Sequence, residues 1–487
     1  MSDNSDGRKE GGKGSEDSGL TSAEHFDYLV GLMPAFVASL YSSREAIEKA
    51  QIEGLRRLLH HAKEHSSWHR HRMSDIDPLT ATPSDLHRIP TMTKEDLMRN
   101  WDDIVTVPGA RLSEAEAYLK DFSDFSYFMD HHLLLTSGGS TGMTGVFLYD
   151  WHGWAVNRAS MSRSMVPLMQ QYGRPSTLRT ASVSANAPTH YSALMTKSFS
   201  ASDNPIARFP LSLPVDKIVE GLSDFQPQVL HCFSSYLPVL CQQARRGSLV
   251  INPKVIFCTS EPLLEQDWQT ARETWNAVVM SCWSASETSG TFPCPARNVF
   301  HVSEDVNILE PVDEFGRTIG PGEQSTEVLV TNLYNLAMPL IRYRIEDMFE
   351  LTDEQCGCKS NYKVVKKVHG RNFEIFSYGD RAAVHPEVLE TPILLLPKVI
   401  EYQIRQTERG ADVYITSEEP IDKIKLAGEL RRLLRDLGVP EPIARVKQVD
   451  DIERTINGKL KRYIPLRREP SEGGAGASSL AQMERTA

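Results

Sequence analysis

Residues 136–145 read TSGGSTGMTG, a run of glycines and hydroxyl side chains between two apolar stretches. Glycines allow the backbone to approach an anion closely, and backbone N–H groups with Ser and Thr hydroxyls can bind phosphate oxygens. The run lacks the GxxxxGK[ST] pattern, which disfavours a P-loop nucleotide-hydrolysing protein. Taken alone, a turn of this composition is more often a connection between strands, so its chemistry depends on the residues that accompany it.

Four charged residues in later segments could act on a nucleotide. Glu287 lies in CWSASETSG (282–290), Asp347 in YRIED (343–347), Arg371 in HGRNFEIF (369–376) and Lys459 in TINGKLKR (455–462). One carboxylate suits a hard divalent cation, another suits the two hydroxyls of a ribose, and the cations suit phosphate. Each residue alone also has an ordinary interpretation, as a solvated side chain at a strand end, a turn or a hinge.

The elements that must position these residues follow an α/β pattern. Short apolar runs predict strands at 133–135, 146–149, 254–260 and 277–283, and longer amphipathic segments between them predict helices. This alternation predicts α/β layers with mostly parallel strands. Nearer the N-terminus, Ile47, Ile52 and Leu55 recur at helical spacing, and Thr93 with Asp96 resembles a helix-capping start.

The pattern changes in the C-terminal part of the chain. After residue 296 it becomes rich in strands, with EVLVTNL and LIRYRIEDMFEL. Beyond residue 370, the strand patterns KVIEYQIRQ, ADVYITS and ARVKQVDDI surround the helical pattern IDKIKLAGELRRLLRDLG. These predict a smaller α+β unit. At 487 residues the chain also exceeds the size at which one hydrophobic core keeps growing, so two or more domains are expected.

Bulk composition excludes some classes of partner. A net charge of −11 argues against nucleic acid or an anionic membrane as the main partner. Seven cysteines without a dense framework indicate a reducing cytoplasm. The apolar stretch LMPAFVASLY (32–41) is too short to span a membrane and follows no signal pattern. We therefore expect a cytoplasmic protein.

The ordered series of segments, from residues 136–145 to TINGKLKR, resembles the acyl-activating, adenylate-forming enzyme superfamily. IPTMTKEDL (89–97), TSEP (259–262) and HVSED (301–305) are similar to its phenylacetate–coenzyme A ligase and capsule-biosynthesis branch. The resemblance covers roughly residues 30–465 in the correct order. It implies an ATP-dependent, AMP-forming ligase with an α/β fold: a disordered tail (1–19), a large multi-layer adenylation domain (20–369), a small mobile α+β domain (370–466) and a second tail (467–487).

The resemblance also implies roles for individual residues. Glu287 would hold Mg²⁺, Arg371 would contact ATP, and Lys459 would bridge the substrate carboxylate and the α-phosphate. These three would be the catalytic residues. The residues implied to bind the nucleotide are Ser137, Gly138, Gly139, Ser140, Thr141, Gly142, Ser260, Glu261, Pro262, Trp283, Ser286 and Asp347. Among them, residues 260–262 would pack along the adenine, and Trp283 would stack near the base. His190 and Tyr191 fall where relatives build the acyl pocket.

The sequence departs from the family pattern at two informative positions. Gly145 stands where many relatives have a lysine, although the phenylacetate-ligase branch also lacks it. Phe373 stands where the customary hinge carboxylate would be, with Glu374 after it. The first half-reaction, adenylation of an aromatic or arylalkanoic acid, is therefore better supported than transfer to coenzyme A.

Three functions stay open at this point. The first is a coenzyme A ligase. The second is an adenylating enzyme of natural-product biosynthesis whose acceptor is a carrier-protein thiol, an amine, or nitrite with an amine in diazotisation. The third is a catalytically degenerate nucleotide-binding protein, disfavoured because Lys459 is retained. We expect a small-molecule acid as partner and a homodimer, with no nucleic acid and no membrane.

Cys294, His301, Cys356 and Cys358 have the spacings C-x₆-H and C-x-C. Some members of the branch carry a structural zinc at similar positions, which implies a Cys₃His site for Zn²⁺. The alternative is two unrelated regions with free thiols and a packing histidine.

Overall fold

A computed structural model describes the chain between residues 21 and 466, with gaps. The described residues are 21–122, 125–137, 144–173, 177–184, 191–199, 205–211, 213–259, 261–354, 356–371, 376–378, 382–384, 386–394, 396, 398–454 and 460–466. The tails predicted at 1–19 and 467–487 lie outside them. Among these residues, no helix is both long enough and apolar enough to cross a lipid bilayer.

Helices come first along the chain, helices and strands alternate between residues 132 and 281 as the sequence predicts, and a strand-rich part follows. The helices are α1 (Ser22–Ser39), α2 (Arg44–His65), α3 (Ser67–Arg72), α4 (Lys94–Arg99), α5 (Trp101–Ile104), α6 (Leu112–Asp121), α7 (Trp151–Ser162), α8 (Met165–Gln170), α9 (Tyr191–Lys197), α10 (Val215–Phe225), α11 (Leu237–Arg245), α12 (Glu265–Trp275), α13 (Glu387–Leu394) and α14 (Lys423–Asp436). The strands are β1 (His132–Thr136), β2 (Val146–Asp150), β3 (Thr180–Ser184), β4 (Ile206–Pro210), β5 (Val229–Phe233), β6 (Val255–Thr259), β7 (Val278–Ser281), β8 (Thr291–Pro293), β9 (Phe300–Val302), β10 (Asn307–Val312), β11 (Glu327–Asn332), β12 (Tyr343–Ile345), β13 (Asp347–Thr352), β14 (Val364–Arg371), β15 (Phe376–Ser377), β16 (Ala383–Val384), β17 (Val399–Thr407), β18 (Gly410–Ser417), β19 (Ile443–Gln448) and β20 (Tyr463–Ile464).

A five-stranded parallel sheet, in the order β4-β3-β5-β6-β7, forms the centre of the large part of the chain. Its two faces are covered by different helices, because successive side chains of a strand point to opposite sides. Leu230 and Cys232 of β5 pack with α10, α11 and α12. Val229 packs instead with Met161 and Met165, from α7 and α8. In such sheets, ligands bind beyond the carboxyl ends of the strands.

The other sheets of the large part consist of antiparallel strands. Strands β1 and β2 pair in register from His132↔Asp150 to Thr136↔Val146, so they form a hairpin around the glycine-rich run. A second sheet has the order β13-β14-β9-β8, and a third has the order β10-β11-β12. The capping box predicted at Thr93 and Asp96 is present at the start of α4.

The C-terminal residues form their own core. Strands β19-β18-β17-β20 make a four-stranded sheet, and Leu426, Leu430 and Leu434 of α14 pack on it. The predicted α/β class, with a large and a small unit, is confirmed. The exact boundaries and the mobility of the small domain stay predictions.

Candidate functional site

The hairpin of β1 and β2 holds both ends of the glycine-rich run. The Ser137 N–H donates to the Gly145 carbonyl at 3.0 Å, and the Gly145 N–H donates to Ser137 Oγ at 3.0 Å. A Cβ on Gly145 would lie 2.8 Å from the Phe147 ring and 3.0 Å from Ser137 Oγ. The close packing explains why no lysine stands at position 145. The predicted phosphate ligands Gly138, Gly139, Ser140, Thr141 and Gly142 lie outside the described residues.

The turn that carries Glu287 is held against this hairpin. Tyr149 of β2 donates its hydroxyl hydrogen to the Ser286 carbonyl at 3.0 Å, and Ser286 Oγ lies 3.4 Å from the Thr136 carbonyl. Asn332 Nδ2 donates to the Glu287 carbonyl at 2.9 Å, and the Glu287 side chain is buried. The predicted magnesium ligand therefore lies next to the entrance of the predicted phosphate loop.

Trp283 contacts the predicted ribose-binding carboxylate directly. Its indole N–H donates to Asp347 Oδ2 at 2.7 Å, and its ring meets the Phe349 ring edge-on at 4.9 Å. A Cβ on Gly290 would lie 2.4 Å from the Trp283 ring, so this glycine leaves the space that the indole fills. The sequence had assigned Trp283 to the base alone. The structure shows in addition that it orients Asp347.

Arg371 lies opposite Asp347, because β13 and β14 pair with Asp347↔Arg371 in register. Trp283, Ser286, Glu287 and Asp347 are thus linked through contacts to one end of the hairpin, with the Arg371 backbone alongside. Of the remaining predicted residues, His190, Ser260 and Lys459 lie outside the described residues, as do the departures at Phe373 and Glu374.

Glu261 makes contacts that the sequence did not suggest. Its carboxylate accepts the Ser235 N–H at 2.9 Å and, across to the small unit, the Leu460 N–H at 2.9 Å. Pro262 contributes its carbonyl, which lies 3.5 Å from the Arg462 guanidinium. Leu460 directly follows Lys459, so Glu261 fixes the chain beside the predicted catalytic lysine. The role predicted for 260–262 along the adenine stays a prediction.

The four residues of the predicted zinc site come together. Their ligand atoms all lie within 4.8 Å of one another. His301 Nε2 lies 3.3 Å from Cys356 Sγ and 3.2 Å from Cys358 Sγ, while its Nδ1 faces the Tyr362 carbonyl at 3.4 Å. A hydrogen bond from the Cys358 thiol lowers the pKa of Cys294 to about 4. A Cys₃His set with its histidine oriented by a carbonyl fits the donors that zinc prefers.

Sequence reasoning did not find the polar residues around Tyr191. Tyr191, at the start of α9, donates its hydroxyl hydrogen to Asn157 Oδ1 at 2.5 Å and meets the Trp154 ring at 5.4 Å. Arg158 and His231 belong to the same neighbourhood, since each interacts electrostatically with another member of it. These residues belong to no sequence motif. They come together because α7 covers one face of the parallel sheet.

Comparison with known proteins shows which proteins the chain is similar to in sequence and in fold. No family model matches it. It is 23% identical over 466 residues to the phenylacetate-coenzyme A ligase of Thermus thermophilus, covering 87% of this chain and 98% of that protein. It is 22% identical over 371 residues to protein CapK of Staphylococcus aureus, covering 73% of this chain and 74% of that protein.

Among solved structures, the chain resembles a 2-hydroxyisobutyryl-CoA ligase in the postadenylation state in complex with R3-HIB-AMP. The TM-score is 0.67 at 19% identity, covering 88% of this chain and 91% of that chain. At this identity the likeness shows that the two proteins share a fold.

Proposed function

We propose that the chain is a member of the phenylacetate–coenzyme A ligase and capsule-biosynthesis branch of the adenylate-forming superfamily, and that it activates a carboxylic acid with ATP. A carboxylate oxygen attacks the α-phosphate, pyrophosphate leaves, and an acyl-adenylate forms. The observation that carries this proposal is the Trp283–Asp347 hydrogen bond of 2.7 Å next to Arg371. It orients a carboxylate with two acceptor oxygens where a ribose diol would bind.

The remaining roles are those that the resemblance to the superfamily implies. The backbone N–H groups and hydroxyls of residues 137–142 bind the phosphates at the hairpin entrance, and Arg371 contacts the nucleotide. Glu287, a buried carboxylate beside that entrance, would hold Mg²⁺, whose charge offsets that of the phosphates. Lys459 meets the reacting carboxylate and the α-phosphate, and it stabilises the charge that develops there. The bond from Leu460 to Glu261 supports this role, because it holds the adjoining chain.

We propose an aromatic acid as substrate and coenzyme A as the first acceptor to test, since two relatives are named for these compounds. Phe373 supports the second candidate, an acceptor other than coenzyme A, because it replaces the carboxylate about which related small domains pivot. A carrier-protein thiol, an amine, or nitrite with an amine would then discharge the adenylate. Retention of Lys459 disfavours the third candidate, a degenerate nucleotide-binding protein.

We also propose that Cys294, His301, Cys356 and Cys358 hold a structural Zn²⁺. The approach of the four ligand atoms to within 4.8 Å of one another supports this assignment. Metal analysis of the tag-free protein should give close to one zinc per chain. The zinc assignment would be refuted if the purified protein contains no zinc and unfolds at the same temperature with and without a chelator.

Pyrophosphate release from a panel of acids tests the adenylation proposal. Aryl acids are assayed with and without coenzyme A, and amino-aryl acids with and without nitrite. Lys459→Ala should lower pyrophosphate release by roughly a hundredfold or more, as expected for a group that stabilises the transition state. Lys461→Ala, in the same segment, is the matched control and should retain activity. Near-wild-type release by Lys459→Ala would remove Lys459 from the mechanism.

A further inference from the structure

Arg158 of α7 is a cation without a counter-charge in the part of the chain that the structure describes. Its side chain is half-buried, and no hydrogen bond or ion pair links its guanidinium to a described residue. Burial lowers the pKa of Arg158, but an arginine stays protonated in proteins. Arg163, just beyond the same helix, shows the usual arrangement: it is fully buried and pairs with Asp305 at 2.7 and 3.0 Å.

Among the described residues, the three titratable groups that interact with Arg158 are neutral at neutral pH. Burial raises the pKa of the Tyr191 phenol well above its usual value and the pKa of the Cys282 thiol to about 12. Burial and the nearby Arg158 charge lower the pKa of His231 to about 3. None of the three is an anion, so the positive charge of Arg158 is not compensated within this cluster. An unpaired charge in such a place is costly for the folded state.

Asn157 supplies a second unpaired donor beside it. Its Oδ1 accepts the Tyr191 hydroxyl hydrogen at 2.5 Å, which sets the orientation of the amide. Its Nδ2 is buried and has no hydrogen-bond partner among the described residues. A buried amide donor that is left unpaired also costs stability. The Arg158 guanidinium and Asn157 Nδ2 therefore both lack a hydrogen-bond acceptor among the described residues. The oxygen atoms of an oxyanion would provide such acceptors.

Part of the cluster lies at the carboxyl ends of the parallel strands. His231 of β5 is on the sheet face that α7 and α8 cover, together with Val229. Tyr191 follows β3, and Cys282 follows the carboxyl end of β7. Cys282 directly precedes Trp283, which holds the proposed ribose-binding Asp347. The position beyond the strand ends is the expected place for a ligand in a sheet of this kind.

We propose that Arg158 and Asn157, with Tyr191, bind a second and non-reacting carboxylate of the substrate, so that the acid activated here is a dicarboxylic acid. This inference rests on the adenylation function proposed above. The planar guanidinium suits a carboxylate through two parallel hydrogen bonds, and Asn157 Nδ2 can donate another.

The reacting carboxylate is a poorer partner for Arg158. It loses its negative charge when it joins the α-phosphate, so a pairing arginine would stabilise the ground state more than the transition state. A non-reacting carboxylate keeps its charge throughout, and the same pairing then favours binding without opposing the reaction.

Matched acids test the inference. The probes are phenylacetate, its 2-, 3- and 4-carboxy derivatives, and glutarate against butyrate, each assayed by ATP–pyrophosphate exchange. Wild-type enzyme should use at least one diacid with a kcat/KM about tenfold or more above that of its monoacid. Arg158→Gln should reduce this ratio to about one, and Arg158→Lys should restore part of it. Equal losses on monoacids and diacids would overturn the inference, because Arg158 would then act on the reacting carboxylate.

Two further measurements separate this inference from the adenylation proposal. If no acid supports exchange, the proposed function fails, and thermal shift decides the inference: a diacid should raise the melting temperature of wild type but not of Arg158→Gln. Without ligand, Arg158→Gln should melt at or above the wild-type temperature, since it removes an unpaired charge. Arg163→Gln, the matched control, should melt lower. A melting temperature of Arg158→Gln as low as that of Arg163→Gln would show a structural arginine and overturn the inference.

Discussion

Glu261→Gln tests whether the contact between the two units positions the catalytic segment. The Glu261 carboxylate accepts two backbone N–H groups at 2.9 Å, one from Ser235 and one from Leu460. Only the second bond joins the two units. A hydrogen bond to a charged group contributes about 1.5–3 kcal/mol, and the partial exposure of Glu261 favours the lower end. If the arrangement in which this bond joins the two units loses about 1.4 kcal/mol of stability, the population of that arrangement falls about tenfold.

We therefore expect Glu261→Gln to lower the kcat of pyrophosphate release about tenfold with little change in KM for ATP. Hydrogen–deuterium exchange should become faster at residues 460–466. Glu273→Gln, an exposed change on α12, is the matched control and should alter neither quantity. A raised KM for ATP with unchanged kcat and unchanged exchange would refute this reasoning and return Glu261 to adenine recognition.

Three other substitutions have distinct expected outcomes. Trp283→Phe removes the indole donor to Asp347, and a hydrogen bond to a charged group contributes about 1.5–3 kcal/mol, so KM for ATP should rise about tenfold or more in steady-state assays. Cys358→Ser should reduce bound zinc and lower the melting temperature, measured by metal analysis and calorimetry. Burial raises the pKa of Asp267 to about 7, so its ionisation costs stability as pH rises from about 4 to 7. Asp267→Asn should flatten the pH dependence of the unfolding free energy over that range in denaturant titrations.

For each of these three substitutions, a specific result would contradict the prediction. An unchanged KM for ATP in Trp283→Phe would mean that Asp347 is held without the indole. Full zinc content in Cys358→Ser would place the metal elsewhere. An Asp267→Asn variant with the wild-type pH dependence would show that Asp267 is ionised throughout, paired with Arg462 at 3.8 Å.

Elements with a strong local pattern could be predicted from the sequence. Alternating and continuous apolar runs identified β6, β7, β17 and β18, and helical spacing identified α2 and α14, because these patterns follow directly from which face each element buries. The two strands that flank residues 136–145 were predicted for the same reason, but their antiparallel pairing was not. The Cys₃His set was predicted through the resemblance, because its two short spacings alone do not show that residues 294–301 meet residues 356–358.

Contacts between residues far apart in sequence could not be predicted in this way. The bond from Leu460 to Glu261 depends on how the small unit meets the large one, and no periodicity records that arrangement. Arg158 and Tyr191 come together because α7 lies across the parallel sheet. Nothing in the local composition of α7 distinguishes Arg158, which lacks an ion pair with any described residue, from Arg163, which has one.

The Cys–His cluster also sets an order of events during synthesis of the chain. Cys294 and His301 leave the ribosome first, and the set is complete only when Cys356 and Cys358 follow. All four precede β15, the first strand in the core of the small unit. Chains fold progressively from the N-terminus as they are made. The large unit can therefore close its cluster, and fix the start of β14, before the small unit that must dock on it has been translated.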